Sequence, residues 1–219
     1  MIPLAMAALA VLVAAGAVWM IWRTSRSRFA IAVIAFLMSL QWVAAAHFGR
    51  RLLEGSPPLM MALLLVTFAG TLAAAMSPVG LRLSELPFAY LIGFQCFRLP
   101  LELVMHQAAA IGLMPEQMSF SGYNFDILTG VMALPVSWLA ARGQAPRWLL
   151  IAWNAMGSTL LAIIVGIAVA SLPTFASFGP HRLNTWIAHP PYIWLPGVLV
   201  QAALLGHIVI WRKLGTSGR

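Results

Sequence analysis

The stretch FAYLIGFQCFRLPLELVMHQAAAIGL, residues 88–113, is long and apolar enough for a membrane-spanning helix, yet it carries Arg98, Glu102 and His106. An α-helix completes a turn in about 3.6 residues, so side chains four residues apart lie on one face. Gln95, three residues before Arg98, falls on the same stripe. Ionisable groups are costly in hydrocarbon and by default face the interior of a helix bundle, where they serve a function. The stripe is therefore the first candidate site.

The rest of the chain has the composition of a membrane protein. Of its 219 residues, 62% are hydrophobic and 8% are charged, whereas ordinary soluble domains are about 45–50% apolar and about 25% charged. The apolar residues come in long runs, which predict transmembrane helices rather than amphipathic ones. The expected fold is all-α, a polytopic membrane helix bundle that forms a single transmembrane domain over residues 1–219.

Seven apolar runs predict seven transmembrane helices. The fifth run is the shortest and contains Pro135, so a re-entrant or strongly tilted segment remains open for it. The predicted segments are Ile2–Trp22, Phe29–His47, Pro58–Met76, Phe88–Leu113, Phe125–Ala141, Trp148–Leu172 and Tyr192–Trp211.

The charges between the runs predict the orientation, because Arg and Lys are enriched on the cytoplasmic side. If every segment spans, one side holds Arg23, Arg26, Arg28, Arg82, Arg142, Arg147, Arg212, Lys213 and Arg219. The other side holds Arg50, Arg51 and Arg182 together with Glu54, Glu116 and Asp126. The N-terminus is thus expected outside and the C-terminus in the cytoplasm. Arginines follow the first run and do not precede it, so we expect a retained helix rather than a cleaved signal peptide.

Two connections on the outer side, residues 114–124 and 173–191, are long and rich in aromatic residues. Loops near or beyond about 12–15 residues are commonly functional when they are ordered. We expect both to fold over the outer mouth of the bundle. The predicted outer vestibule consists of Asn124, Asp126, His181, Asn184 and His189.

The polar stripe predicts binding or transport of a small polar solute, an ion or a proton. Pro100 is expected to distort the helix beside the stripe, because proline cannot donate a backbone hydrogen bond. In this hypothesis Arg98 holds an anionic group or tunes Glu102, Glu102 is the proton or cation site, and His106 acts as a gate or relay. The ligand-binding or proton-relay set is therefore Gln95, Arg98, Glu102 and His106.

Other interpretations stay open. Arg98 and Glu102 have the spacing of an i,i+4 ion pair, which could fix packing without binding a ligand. The outer histidines could serve a membrane-embedded haem or metal redox protein. No tight histidine pair is present, so no metal ligands are assigned and the cofactor is left unknown. His207 is predicted near the cytoplasmic end of the last helix, which does not match the depth of His106. A third possibility is a non-catalytic subunit of a membrane complex.

Several functional classes find no support. The chain lacks phosphate-binding glycine loops and the H-E-x-x-H and G-x-S-x-G motifs, and its one lysine, Lys213, is at a helix end, which argues against a retinal Schiff base. The basic residues lie between apolar runs, so nucleic acid is not an expected partner. The expected partners are the lipid bilayer, a small polar ligand or ion, and a protein partner or further copies of the chain.

Three short motifs carry a resemblance to known sequences. They are the stretch from Phe97 to His106, the stretch Asn124 to Gly130 (NFDILTG), and the cluster formed by Asn184-Thr185-Trp186, His189-Pro190 and Trp194-Leu195-Pro196. In these motifs the chain resembles a group of uncharacterised bacterial multi-pass inner-membrane proteins. The resemblance covers most of the second half of the chain and implies a bacterial inner-membrane location. It implies no particular chemistry.

Overall fold

The computed structural model describes residues 1–54 and 58–216, and the regular secondary structure of this part of the chain is all helical, without a β-strand. In chain order, its α-helices are α1 (Ile2–Ser25), α2 (Arg28–Phe48), α3 (Leu59–Met76), α4 (Pro78–Leu83), α5 (Phe88–Phe94), α6 (Arg98–Ala110), α7 (Ile127–Ala141), α8 (Arg147–Ala170) and α9 (Val200–Thr216). Short 3-10 turns are at Gly49–Leu53, Gln95–Phe97, Glu116–Met118 and Trp186–Ala188, and a π-helical turn, Leu195–Leu199, leads into α9.

Six helical segments are long and apolar enough to cross a membrane, as expected for an integral membrane protein. They are Ile2–Ser25, Arg28–Leu53, Leu59–Met76, Phe88–Ala110, Arg147–Ala170 and Leu195–Thr216. The predicted fifth segment forms α7, which has 15 residues and contains Pro135. At about 1.5 Å per residue such a helix extends about 22 Å, less than the roughly 30 Å of a bilayer core. The all-helical membrane fold is confirmed, and seven crossings stay a prediction.

The fourth segment is interrupted beside the polar stripe. Helix α5 ends at Phe94, a 3-10 turn covers Gln95–Phe97, and α6 begins at Arg98. Pro100 is thereby in the first turn of α6, where its missing N–H is tolerated because the residue four positions earlier, Cys96, belongs to the 3-10 turn. The distortion expected at Pro100 takes the form of this 3-10 turn, which directly precedes α6.

Two glycines bring the central helices together. A Cβ on Gly130 in α7 would lie 2.5 Å from the backbone nitrogen of Leu99, so α7 can approach the start of α6 only at a glycine. A Cβ on Gly157 in α8 would lie 2.5 Å from Cε1 of His207 and 2.7 Å from Cγ2 of Thr129. Small residues permit this kind of close helix contact in membrane proteins. Helices α6, α7, α8 and α9 therefore converge on one region.

The apolar core consists of two clusters. One includes Met6, Met105 and Leu199 and lies near the long connections at residues 111–126 and 171–194. The other lies at the arginine-rich ends of the helices and includes Met20, Leu91, Val136, Trp153 and Ile210. Buried polar residues, among them Arg98, Glu102 and His207, are set within this apolar packing.

Candidate functional site

An ion pair between Arg98 and Asp126 forms the centre of the site. Arg98 is 1% exposed, and both its Nε, at 2.7 Å, and its Nη2 donate to Oδ2 of Asp126. The other carboxylate oxygen, Oδ1, accepts a hydrogen bond from Oγ1 of Thr129 at 3.2 Å. Asp126 directly precedes α7, and the contact at Gly130 brings that end of α7 to the start of α6. The charge of Arg98 is thus neutralised by a residue distant in sequence.

His207 occupies another face of the same guanidinium group. Nη1 of Arg98 and Nε2 of His207 are 2.7 Å apart. An arginine can only donate, so Nε2 accepts and the ring proton is on Nδ1. Nδ1 then donates to Oδ1 of Asn154 at 2.8 Å, while Nδ2 of Asn154 donates to the His207 carbonyl at 3.2 Å. The network holds His207 as a neutral imidazole in one tautomer.

Glu102 lies one helical turn beyond Arg98 and contacts a different partner. Nδ2 of Asn124 donates to its Oε2 at 2.7 Å. Asn124 also accepts a hydrogen bond from the backbone N–H of Asp126 through its Oδ1, at 3.0 Å. Glu102 is 2% exposed, and within residues 1–54 and 58–216 its Oε1 accepts no hydrogen bond. The i,i+4 pair of Arg98 with Glu102, one of the sequence-based alternatives, is replaced by the pair of Arg98 with Asp126.

The charges of this polar cluster (Arg98, Glu102, Asn124, Asp126, His207) do not cancel if every carboxyl group is ionised. Arg98 and Asp126 form a neutral pair. His207 is neutral, so Glu102 is the remaining ionisable side chain among the cluster residues. An ionised Glu102 would leave an uncompensated negative charge in a site that is almost fully buried. An unpaired buried ion costs roughly several kcal/mol.

A cavity of about 260 Å³ adjoins the polar cluster. Its polar lining residues are Arg98, Glu102, Asp126, Asn184 and Gln201, and the rest of its wall is apolar. The apolar lining comes from α3, the π-helical turn, α6, α8 and α9, and includes Leu64, Leu65, Phe68, Leu101, Met105, Leu161, Ile164, Val165, Ala168, Leu195 and Leu199. The cavity is on the same side of the bundle as the long connections, away from the arginine-rich helix ends.

Asn184, one of the residues that line the cavity, carries an acceptor without a partner. Its Nδ2 donates to the carbonyl of Ala168 at 3.1 Å, which fixes the orientation of the amide. Its Oδ1 is buried and has no hydrogen-bond partner among the described residues. Buried polar atoms are nearly always hydrogen-bonded, so an exception in a residue that lines a cavity needs an explanation. Gln201, by contrast, is satisfied by Thr71 and by the carbonyl of Pro196.

Several predicted site residues lie away from the cavity. Gln95 donates to the Ala203 carbonyl at 3.4 Å between α5 and α9 and does not line the cavity. His106 is half-buried, and its Nδ1 contacts the hydroxyls of Ser119 and Ser121 at 3.2 and 3.0 Å. Its ring stacks on Phe120 with centroids 4.2 Å apart. His106 therefore joins its helix to the loop at 119–121 and is not in contact with Glu102.

The predicted outer vestibule is only partly assembled. Asn124 and Asp126 belong to the polar cluster, and Asn184 lines the cavity. His181 and His189 are exposed and do not line it. The described residues contain no group of three His, Cys, Asp or Glu side chains that could hold a metal ion.

Sequence reasoning did not assign His207 and Thr129 to the site. The sequence places His207 near a helix end, but the last segment runs on to Thr216, so His207 is near its middle. The signal available in the sequence was weak, a histidine and an asparagine isolated within apolar runs. Their pairing with each other and with Arg98 depends on how the helices pack.

Comparison with known proteins adds no assignment: no protein family, curated protein or solved structure matches this chain.

Proposed function

We propose that this integral membrane protein binds a ligand in the cavity beside the polar cluster, and that Glu102 exchanges a proton when the ligand binds. The observation that carries the proposal is Oε1 of Glu102, a carboxyl oxygen without a hydrogen-bond partner among the described residues, on the wall of a 260 Å³ cavity. The charge of Arg98 is paired with Asp126, and three of its N–H groups are bonded to Asp126 and His207, so Glu102 has no cation of its own.

Charge balance supports proton exchange at this position. In the empty cavity Glu102 carries a proton on Oε1, because Oε2 accepts from Asn124 and an unpaired charge at this depth is unfavourable. A ligand that brings a positive charge or a strong hydrogen-bond donor replaces that proton, which leaves to the aqueous phase. Arg98 and Asp126 form a neutral ion pair beside Glu102 and do not change their charge when the ligand binds.

The proposal includes the orientation and the seventh crossing. The cavity opens toward the outer half of the membrane if the arginine-rich helix ends are cytoplasmic. Helix α7 then crosses with the help of the residues that flank it, so that Asp126 is within the membrane. A bacterial inner membrane is the proposed location.

Infrared spectroscopy of the full-length protein in detergent tests the protonation of Glu102. A protonated carboxyl group has a C=O stretching band that an ionised one lacks. We expect this band at neutral pH in the wild type and its loss in Glu102→Gln. The matched control is Glu116→Gln, since Glu116 is exposed and its substitution leaves the band in place. An identical spectrum for wild type and Glu102→Gln would overturn the proposal.

A further inference from the structure

The geometry points to a single-chain cationic amphiphile, a primary amine on an alkyl chain, as the ligand class, entering sideways from the bilayer between α3 and α8. The inference rests on the proposed function and names its ligand. It combines the apolar wall of the cavity, the lateral position of that wall, and the two acceptors without donors.

The size and wall of the cavity favour an apolar body over a small hydrophilic solute. An apolar cavity of about 150 Å³ is enough to bind benzene, and the cavity here measures 260 Å³. Side chains such as Leu64, Leu161, Ile164 and Leu199 offer no hydrogen bonds to a sugar or an inorganic ion. An alkyl chain satisfies these walls without losing hydrogen bonds from water.

The wall on the side of α3 is at the surface of the bundle. Leu65 and Phe68 line the cavity, although they are 65% and 46% exposed. Helices α3 and α8 each pack against α9, and the principal helix contacts of the described residues do not include an α3–α8 pair. The cavity therefore borders the surface that faces lipid. The head group and the first methylene groups can occupy it while the rest of the chain remains in the bilayer.

The polar atoms of the cavity define the head group. Oε1 of Glu102, once its proton has left, and Oδ1 of Asn184 are acceptors without donors among the described residues. A primary ammonium group supplies several N–H donors and the positive charge that Glu102 otherwise lacks. On binding, the carboxyl proton of Glu102 leaves to water and the ammonium takes its place, so the charge of the occupied site stays zero. A carboxylate or phosphate head group would leave the site with a net negative charge, because Arg98 is already paired with Asp126.

Four probes added separately to the full-length protein in nanodiscs of phosphatidylcholine test the ligand class: dodecylamine, dodecanol, dodecanoate and ethylamine. The dependence of the unfolding midpoint on probe concentration reports affinity for the folded state. We expect dodecylamine to bind most tightly and to remove the carboxyl infrared band of Glu102. Its affinity falls roughly 10- to 100-fold in Glu102→Gln, the range of a charge-assisted hydrogen bond, and is unchanged in Glu116→Gln.

Two tryptophan variants on α3 test the route of entry. Leu65→Trp narrows the cavity at the proposed opening and lowers the affinity for dodecylamine. Leu72→Trp, on the same helix, changes a residue that is 44% exposed and does not line the cavity, and leaves the affinity unchanged.

The remaining outcomes of the probe experiment test the alkyl chain, the cationic head group and the proton site separately. Equal binding of ethylamine overturns the requirement for an alkyl chain, and equal binding of dodecanol overturns the cationic head. If no amine binds while the Glu102 band is present, the ligand class is wrong and the proposed proton site still stands. If the wild type lacks the Glu102 band before any probe is added, the proposed function itself is contradicted.

Discussion

Arg98 and His207 are 109 residues apart in the sequence, yet Nη1 of the one and Nε2 of the other are 2.7 Å apart in the interior of the protein. This contact connects the start of α6 to the middle of the last apolar segment. It also explains why His207 is neutral, because a guanidinium group can only donate to it. Removing either side chain leaves a buried polar atom of the other without its partner.

Replacing His207 by alanine therefore destabilises the protein. The lost acceptor leaves an Arg98 N–H unsatisfied, and the cost is expected to be about 1–3 kcal/mol. Thermal unfolding in detergent measures the change. His181→Ala is the control, since His181 is exposed and exposed substitutions usually change stability by less than about 0.5 kcal/mol. Equal effects of the two substitutions would contradict the contact.

Substituting Asp126 removes the counter-charge of Arg98. Breaking a buried ion pair from one side costs about 3–5 kcal/mol, because the other charge remains buried and alone. Asp126→Asn is expected to show a loss in this range. The double variant Arg98→Met with Asp126→Asn removes both charges, and we expect it to be more stable than Asp126→Asn by itself. A double variant that is less stable than the single one would argue against an isolated charge as the cause.

A glycine pair on α8 tests the close approach of helices at the site. A Cβ at Gly157 would lie 2.5 Å from Cε1 of His207, whereas a Cβ at Gly166 has no atom within 4 Å. We expect Gly157→Ala to destabilise the protein by about 1–3 kcal/mol through overpacking. Gly166→Ala should be neutral or stabilising by up to about 1 kcal/mol, because alanine favours the helix. The unfolding midpoints of the two variants measure the difference, and equal midpoints would contradict the close packing at Gly157.

Substitution of Asn124 is expected to change the infrared band of the Glu102 carboxyl group. Its amide donates to Oε2 of Glu102, so Asn124→Ala removes a hydrogen bond from the carbonyl oxygen of the protonated acid. The carboxyl band of Glu102 is then expected to move to higher wavenumber, and stability to fall by about 1–3 kcal/mol. Gln117→Ala is a useful comparison, since Gln117 is also buried but bonds to Ser171 and to the carbonyl of Arg182. An unshifted band in Asn124→Ala would show that the two side chains do not meet.

Much of the fold follows from local sequence patterns. Apolar runs and the turn residues between them predicted most helices to within a few residues, for example Pro58–Met76 against the observed Leu59–Met76. Helix formation in a membrane depends on the hydrophobicity of each segment by itself, so it can be judged from the sequence. The fifth segment, with its proline and short length, is the one at which that local criterion is weakest.

The placement of ionisable residues could be predicted only in part. The sequence identified Arg98, Glu102, Asn124 and Asp126 because charged and amide side chains stand out within or beside apolar runs. It grouped His106 with them because of its helical spacing, but the structure has that ring stacked on Phe120 at the loop. Helical spacing shows which side chains share a face, and it does not show what lies opposite.

What the sequence determined by itself is an all-helical membrane protein with charged side chains inside an apolar segment, since hydrophobicity and helical period are properties of short segments. Only the tertiary structure decided that Arg98 pairs with Asp126 and His207 rather than with Glu102. The physical reason is that a buried charge takes the partner that helix packing brings within hydrogen-bond distance. That packing depends on close contacts at Gly130 and Gly157, between segments far apart in the chain.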